Sequence, residues 1–208
     1  ARQTRRRVAG MLAQLVRDHY RVAMCDLTRG ELGTNGTVDG RAAEAAAAAR
    51  TLGVEIRLQL GLPDGAIDAR DPEQLVVVVR ALRTHRPRLV VAPHEQSRHP
   101  DHSEAAALVR KAIFFTALPR FAPDIAAVPR PVWVRCTDYW PVVPSFVVNV
   151  TATLDLKLQA LRCYRSQFER GAGSQPTHLN DAAYLQRIET DARHYGRLIG
   201  VAAGEGFV

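Results

Sequence analysis

Two histidines and an aspartate crowd the stretch SRHPDHSEAA, Ser97 to Ala106, with Pro100 between them. His99 and His102 are three residues apart, so on a helix they share one face. Pro100 suits the first helical position, with His99 as the cap and Asp101 and His102 in the first turn. One chemistry available to this group is a metal ligand paired with an acid or electrophile. The positive end of the helix favours the neutral imidazole that a metal needs, and Asp101 can orient an imidazole by accepting its second N–H. The plainer alternative is a polar helix start, because Asp is common there and most surface histidines take no part in chemistry.

The elements that must position this group follow from hydrophobic periodicity. VAGMLAQLVRDHY has helical spacing, YRVAMCDL alternates, and TRGELGTNGTVDG reads as a long polar loop. GRAAEAAAAARTLG is a strong helix former closed by Gly53, followed by the strand VEIRLQLG and the turn LPDG. Asp71 and Pro72 predict the cap and first turn of a helix over EQLVVVVRALRTHR, in spite of its run of valines. PRLVVAP reads as a buried strand, and the histidine segment and its helix HSEAAALVRKAIFFTAL come next.

This alternation predicts a Rossmann-like, doubly wound α/β fold: a mostly parallel sheet, helices on both faces, right-handed crossovers. After a Pro-rich connection come strands in VWVRCTDYW and SFVVNV, one helix over TLDLKLQALRCYRSQF, and a last helix from about Asp181 to Gly200. Nothing resembling a linker divides the chain, so residues 1–208 are expected to form a single domain. Ligands of open α/β sheets bind beyond the carboxyl ends of the strands. Three segments fall there: Thr28 to Gly40, LPDGAID, and HEQSRHPDH.

Composition narrows the function classes. The chain has 208 residues and a net charge of +7, densest in ARQTRRRV, but only 6% aromatics. No docking element interleaves bases with aromatics, which argues against a nucleic-acid partner. Cys25, Cys136 and Cys163 are too scattered for a disulfide framework or a thiolate metal site, and a reducing cytoplasm suits them. No apolar run reaches the roughly 18 residues that span a bilayer, so no membrane partner is expected. Absence of a GxGxxG or Walker loop makes a nucleotide-binding role the weakest reading.

The box RHPDH resembles the second motif of the LmbE-like, or PIG-L, zinc-dependent N-acetylglucosaminyl deacetylases. CDLTRGELGTNGTVDGRAAEAAAAARTLGV, LGLPDGAI, RPRLVVAP, SFVVNV and YRSQF are similar to successive landmarks of its bacillithiol-biosynthesis branch. The resemblance implies a hydrolase that removes acetate from an N-acetylglucosaminyl conjugate such as N-acetylglucosaminyl malate. It implies zinc, or another divalent metal such as Fe2+, with His102 as a ligand. His99 would stabilise the tetrahedral intermediate or protonate the leaving amine, held by Asp101. Arg41 would receive the acidic or sugar part of the substrate, as a guanidinium fork suits a carboxylate. Glu31 and Asp64, together with Asn35 and Arg98, would line the sugar site. Turn chemistry is the rival explanation for Asp64-Gly65 and for Asn35-Gly36. Tyr164 and Gln167 are expected to brace the C-terminal helix against the sheet. Oligomers are common among such relatives.

The family's first motif, a buried strand followed by AHPDD, supplies two more zinc ligands and the general base. It has no counterpart in ARQTRRRVAGML. His19 and Asp18 fall at the wrong edge of the sheet to replace it. In a doubly wound sheet the first strand is normally central, so its lack predicts a slot in mid-sheet. Two functions therefore stay open: an active deacetylase, or a degenerate relative that keeps the sugar crevice without the chemistry.

Overall fold

The structure, a computed structural model, describes residues 2–137, 142–171 and 173–208. Helix α1 (Arg2–Arg17) precedes strand β1 (Ala23–Thr28), and His19, at φ 62°, makes the left-handed turn between them. Helix α2 (Val38–Thr51) starts at Thr37, whose hydroxyl accepts the Gly40 N–H, and strand β2 (Ile56–Leu62) runs parallel to β1. Asp71 caps α3 (Pro72–His85) by accepting from the N–H groups of Glu73 and Gln74. The run Val76 to Val79 is helical because Val78 and Val79 are buried against Leu27 and Leu62, which outweighs β-propensity. Strand β3 (Leu89–Ala92), helix α4 (Pro100–Phe115) and strand β4 (Val132–Arg135) complete the parallel part. The TDYW part of the predicted VWVRCTDYW strand includes residues 138–140, outside the described residues.

Strand β5 (Phe146–Asn149) pairs antiparallel with β6 (Gly204–Phe207), a strand that sequence reading did not predict. GEGF has the composition of a loop. Its glycines are required by close approach: a Cβ on Gly204 would lie 2.5 Å from Val147 Cγ1, and one on Gly206 would lie 2.9 Å from Thr137 Oγ1. The single helix predicted over TLDLKLQALRCYRSQF is a second correction. It divides into a 3-10 turn (Thr151–Thr153), α5 (Leu154–Arg162) and α6 (Arg165–Phe168). Tyr164 leaves helical geometry at ψ 59° and packs with Ala160 and Met24. Ser166 then bonds Glu44 through both its N–H (2.6 Å) and its hydroxyl (2.8 Å), which redirects the chain toward α2. The last helix, α7, covers Tyr184–Leu198. No helix among the described residues is long and apolar enough to cross a membrane.

Among the described residues, β1 and β2 form one ladder and β3 and β4 another, with no strand pairing between the two. Cys136 bridges to Phe207, and Arg135 and Val208 exchange two hydrogen bonds of 2.9 Å, so the β3–β4 ladder continues into β6 and β5. Helices hold the parts together. On one face, Ala9 and Ala13 of α1 pack on Met24, while Val8 and Met11 pack on Cys136 and Phe207. On the other face, α3 and α4 share a core with Leu27 and Leu62.

Candidate active site

The site begins at the N-terminus of α4. His99 is its cap, at φ −92° and ψ 125°, and its Nδ1 accepts the backbone N–H of Asp101 at 3.2 Å. An imidazole nitrogen that accepts carries no proton, so the neutral ring keeps its proton on Nε2 and can donate from there. The His99 ring is exposed and stacks on buried His102, with centroids 5.0 Å apart. Nδ1 of His102 lies 3.1 Å from Ser97 Oγ, an outer contact of the kind that fixes a ligating imidazole.

Asp101, at the second helical position, reaches the neighbouring loop: its Oδ2 accepts the Gly65 N–H at 2.7 Å and so ties α4 to the LPDG turn, while its own N–H holds the His99 ring.

The loops at the carboxyl ends of β1, β2 and β3 meet here through further carboxylates. Asp64 accepts from the Thr28 hydroxyl and from the Leu32 N–H, both at 3.0 Å, and Glu31 accepts the Asp64 N–H at 3.1 Å. Gly65 is needed at φ 83°, where a Cβ would also meet Leu32 Cδ1 at 2.6 Å. Glu31 and Asp64 therefore tie the loops after β1 and β2 together, next to the Gly65 N–H that Asp101 takes.

Arg41 and Asn35 are placed differently from a pair of open substrate contacts. Arg41 is only 5% exposed, and its guanidinium donates to the carbonyls of Gly30, Gly33 and Asn35, which gives the long loop its shape. The Asn35 amide exchanges two hydrogen bonds with the backbone of Gln175, at 2.9 and 2.8 Å. Tyr164 packs with Ala160 of α5 and Met24 of β1, and Gln167 donates to the Asn35 carbonyl and supports the loop. Arg98, exposed beside His99, has its Nη2 2.9 Å from Nε2 of His178. Sequence spacing had no means of finding Ser97, Gln175 or His178: the first is one serine in a polar loop, and the other two are far along the chain.

His102 is the one predicted metal ligand, and among the described residues no three His, Cys, Asp or Glu side chains gather as a metal-binding group. In the same loop, Glu95 lies below the usual carboxylate range. Burial pushes its pKa up, but backbone hydrogen bonding and the Arg135 guanidinium, 3.1 Å away, outweigh burial.

Comparison with known proteins gives the family. The family model described as PIG-L, GlcNAc-PI de-N-acetylase, matches residues 6–113. Diacetylchitobiose deacetylase of Thermococcus kodakarensis is 27% identical over 212 residues, covering 96% of this chain and 76% of its own length. The crystal structure of a conserved protein from Thermus thermophilus superposes with a TM-score of 0.88 at 33% identity, covering 98% of this chain and 88% of that one. N,N'-diacetylchitobiose deacetylase from Pyrococcus horikoshii, solved with an inhibitor, gives a TM-score of 0.84 at 26% identity, covering 98% and 78%.

Proposed function

Because this chain belongs to the PIG-L family of de-N-acetylases, we propose that it removes acetate from an N-acetylglucosaminyl conjugate with an anionic partner group, of the N-acetylglucosaminyl malate type. The observation that carries this reading is the cap of α4: His99, with a donor Nε2, beside buried His102 at the crevice where the β1, β2 and β3 loops meet. Hydrolysis of an acetamide passes through a tetrahedral oxyanion. An exposed imidazole N–H fixed by a cap hydrogen bond is suited to stabilise that charge or to protonate the departing amine. Arg98 at the rim supplies a guanidinium for a carboxylate, and Glu31 and Asp64 shape the sugar pocket. Arg41 acts through the loop that it holds. A small soluble conjugate and the three free thiols suit a cytoplasmic enzyme.

Zinc, or another divalent metal, would activate water in such a reaction and would find one ligand in His102. A hydrolytic zinc takes about three protein ligands and keeps an open position. Among the described residues that set is not assembled. A second reading is a relative that binds the sugar conjugate without turnover.

Two measurements on the purified chain separate these readings: acetate release from N-acetylglucosaminyl malate, and metal content by mass spectrometry. The deacetylase reading expects stoichiometric metal and acetate release, both lost in His102→Ala. Sugar binding with neither metal nor acetate establishes the second reading. Unchanged turnover in His102→Ala removes the role given to that residue.

A further inference from the structure

Arg98 is exposed next to the α4 cap, and its partner comes from a distant part of the chain. Nη2 of Arg98 lies 2.9 Å from Nε2 and 3.4 Å from Nδ1 of His178. His178 belongs to QPTHLND, a stretch pinned on both sides. Gln175 is paired with Asn35, the Thr177 N–H donates to Asn180 Oδ1 at 2.8 Å, and Asn180 Nδ2 donates to the Gln175 carbonyl at 3.0 Å. The His178 ring meets Tyr184 edge-on, with centroids 5.8 Å apart.

A guanidinium has donors and no acceptor, so this contact requires an unprotonated nitrogen on the imidazole. The surroundings favour that state. His178 is exposed, and partial desolvation lowers its pKa, as do the charges of Arg98 from the β3–α4 loop, Arg6 from α1 and Arg187 from α7. Arg187 is itself paired with Asp181, 3.3 Å away. Among the described residues, the charges that act on His178 are these guanidinium groups.

We propose that His178 is a positioning residue for Arg98: the neutral imidazole accepts from the guanidinium and directs its remaining N–H groups into the mouth of the crevice, where they take the carboxylate of the substrate's non-sugar part. This rests on the reading of the site as one for an N-acylated sugar bearing an anionic group, and it assigns the residues that recognise that group. The neutral state matters because His178 at neutral pH is an acceptor. When pH falls below its lowered pKa it becomes a second cation that repels Arg98.

Calorimetric binding of two probes, glucosaminyl malate and methyl glucosaminide, tests the assignment in the wild type, His178→Ala and His178→Gln across pH 7.5 to 5. At pH 7.5, His178→Ala weakens glucosaminyl malate about tenfold, the scale of one charge-assisted hydrogen bond, and leaves methyl glucosaminide unchanged. His178→Gln restores affinity, because an amide oxygen accepts the same N–H. Affinity of the wild type for the carboxylated probe falls on acidification more steeply than that of the glutamine variant, in which titration of the probe is the common background. Equal loss for both probes in His178→Ala, no loss for either, failure of glutamine to rescue, or a wild type that does not prefer the carboxylated probe overturns the proposal. Absence of acetate release with these binding differences intact faults the hydrolase reading and leaves the role of His178 standing.

Discussion

Glu205 is the residue whose removal the structure predicts to be most damaging to stability. It lies in β6 at 2% exposure, with Lys157 of α5 at 3%. Oε1 accepts from the Lys157 ammonium at 2.8 Å and from the Gly10 N–H at 2.9 Å; Oε2 accepts the Met11 N–H at 2.8 Å. One carboxylate therefore joins β6, α5 and the middle of α1. Removing one partner of a buried ion pair costs about 3–5 kcal/mol because the other charge stays buried. Orphaning a buried N–H adds about 1–3 kcal/mol each. Glu205→Ala incurs both costs, so a loss of about 5 kcal/mol or more is expected, against a total of about 5–15 kcal/mol for an ordinary domain. Lys157→Met leaves the carboxylate with its two backbone donors, and the expected loss is nearer about 3 kcal/mol, the low end of the pair range. Combining Lys157→Met with Glu205→Gln keeps an acceptor for the helix and removes both charges, and this double variant is expected to be more stable than Glu205→Ala alone. Urea unfolding followed by circular dichroism gives the three values. A loss below about 1 kcal/mol in Glu205→Ala, or a larger loss in Lys157→Met than in Glu205→Ala, would refute the reasoning.

Arg83, 1% exposed, donates to the carbonyls of Phe115, Thr116, Leu118, Phe121, Ala122 and Ile125. A lysine cannot reproduce that fork, so Arg83→Lys is expected to lower the thermal midpoint by several degrees, about 2–4 kcal/mol, with fast proteolysis confined to the α4–β4 connection. Gly10→Ala brings a Cβ to 2.8 Å from Val150 Cβ, and a destabilisation of about 1–3 kcal/mol in urea is expected to outweigh the better helix propensity of alanine. Cys25 stands at an exposed position of β1, and its thiol is pushed up to about 12 by desolvation and then by Asp26, only partly opposed by Arg57. A raised thiol pKa means less thiolate, so at pH 8 alkylation of Cys25, read by peptide mass spectrometry, is expected to be at least about tenfold slower than that of an ordinary thiol and to rise with pH beyond about 9.

The parallel half of the fold was legible because its signals are local. Apolar spacing switches between helical and strand periods, and Asp71-Pro72 and His99-Pro100 mark two helix starts in the letters themselves. What could not be read depends on which groups meet across the fold. β6 is a strand because glycine lets its backbone approach Val147 and Thr137, a condition set by neighbours. An arginine such as Arg41 can grip a carboxylate or its own loop. The choice falls to the loop because the carbonyls of Gly30, Gly33 and Asn35 turn toward it, which no spacing rule states. The break at Tyr164 is likewise decided by Glu44, more than a hundred residues away in sequence from Ser166.

The site carboxylates have a second role, which is to join loops. Above the strand ends, Asp101, from the β3 side, takes the Gly65 N–H of the loop after β2, and Asp64 carries the link on to Thr28 and Leu32 after β1. Hydrogen bonds to a charged acceptor are worth about 1.5–3 kcal/mol each, enough to keep the loops in register. A substitution at Asp101 therefore alters the alignment of the crevice and the stability of the whole domain together. Loss of activity in Asp101→Asn can be assigned to chemistry only if the urea midpoint is unchanged, and this linkage predicts that it falls.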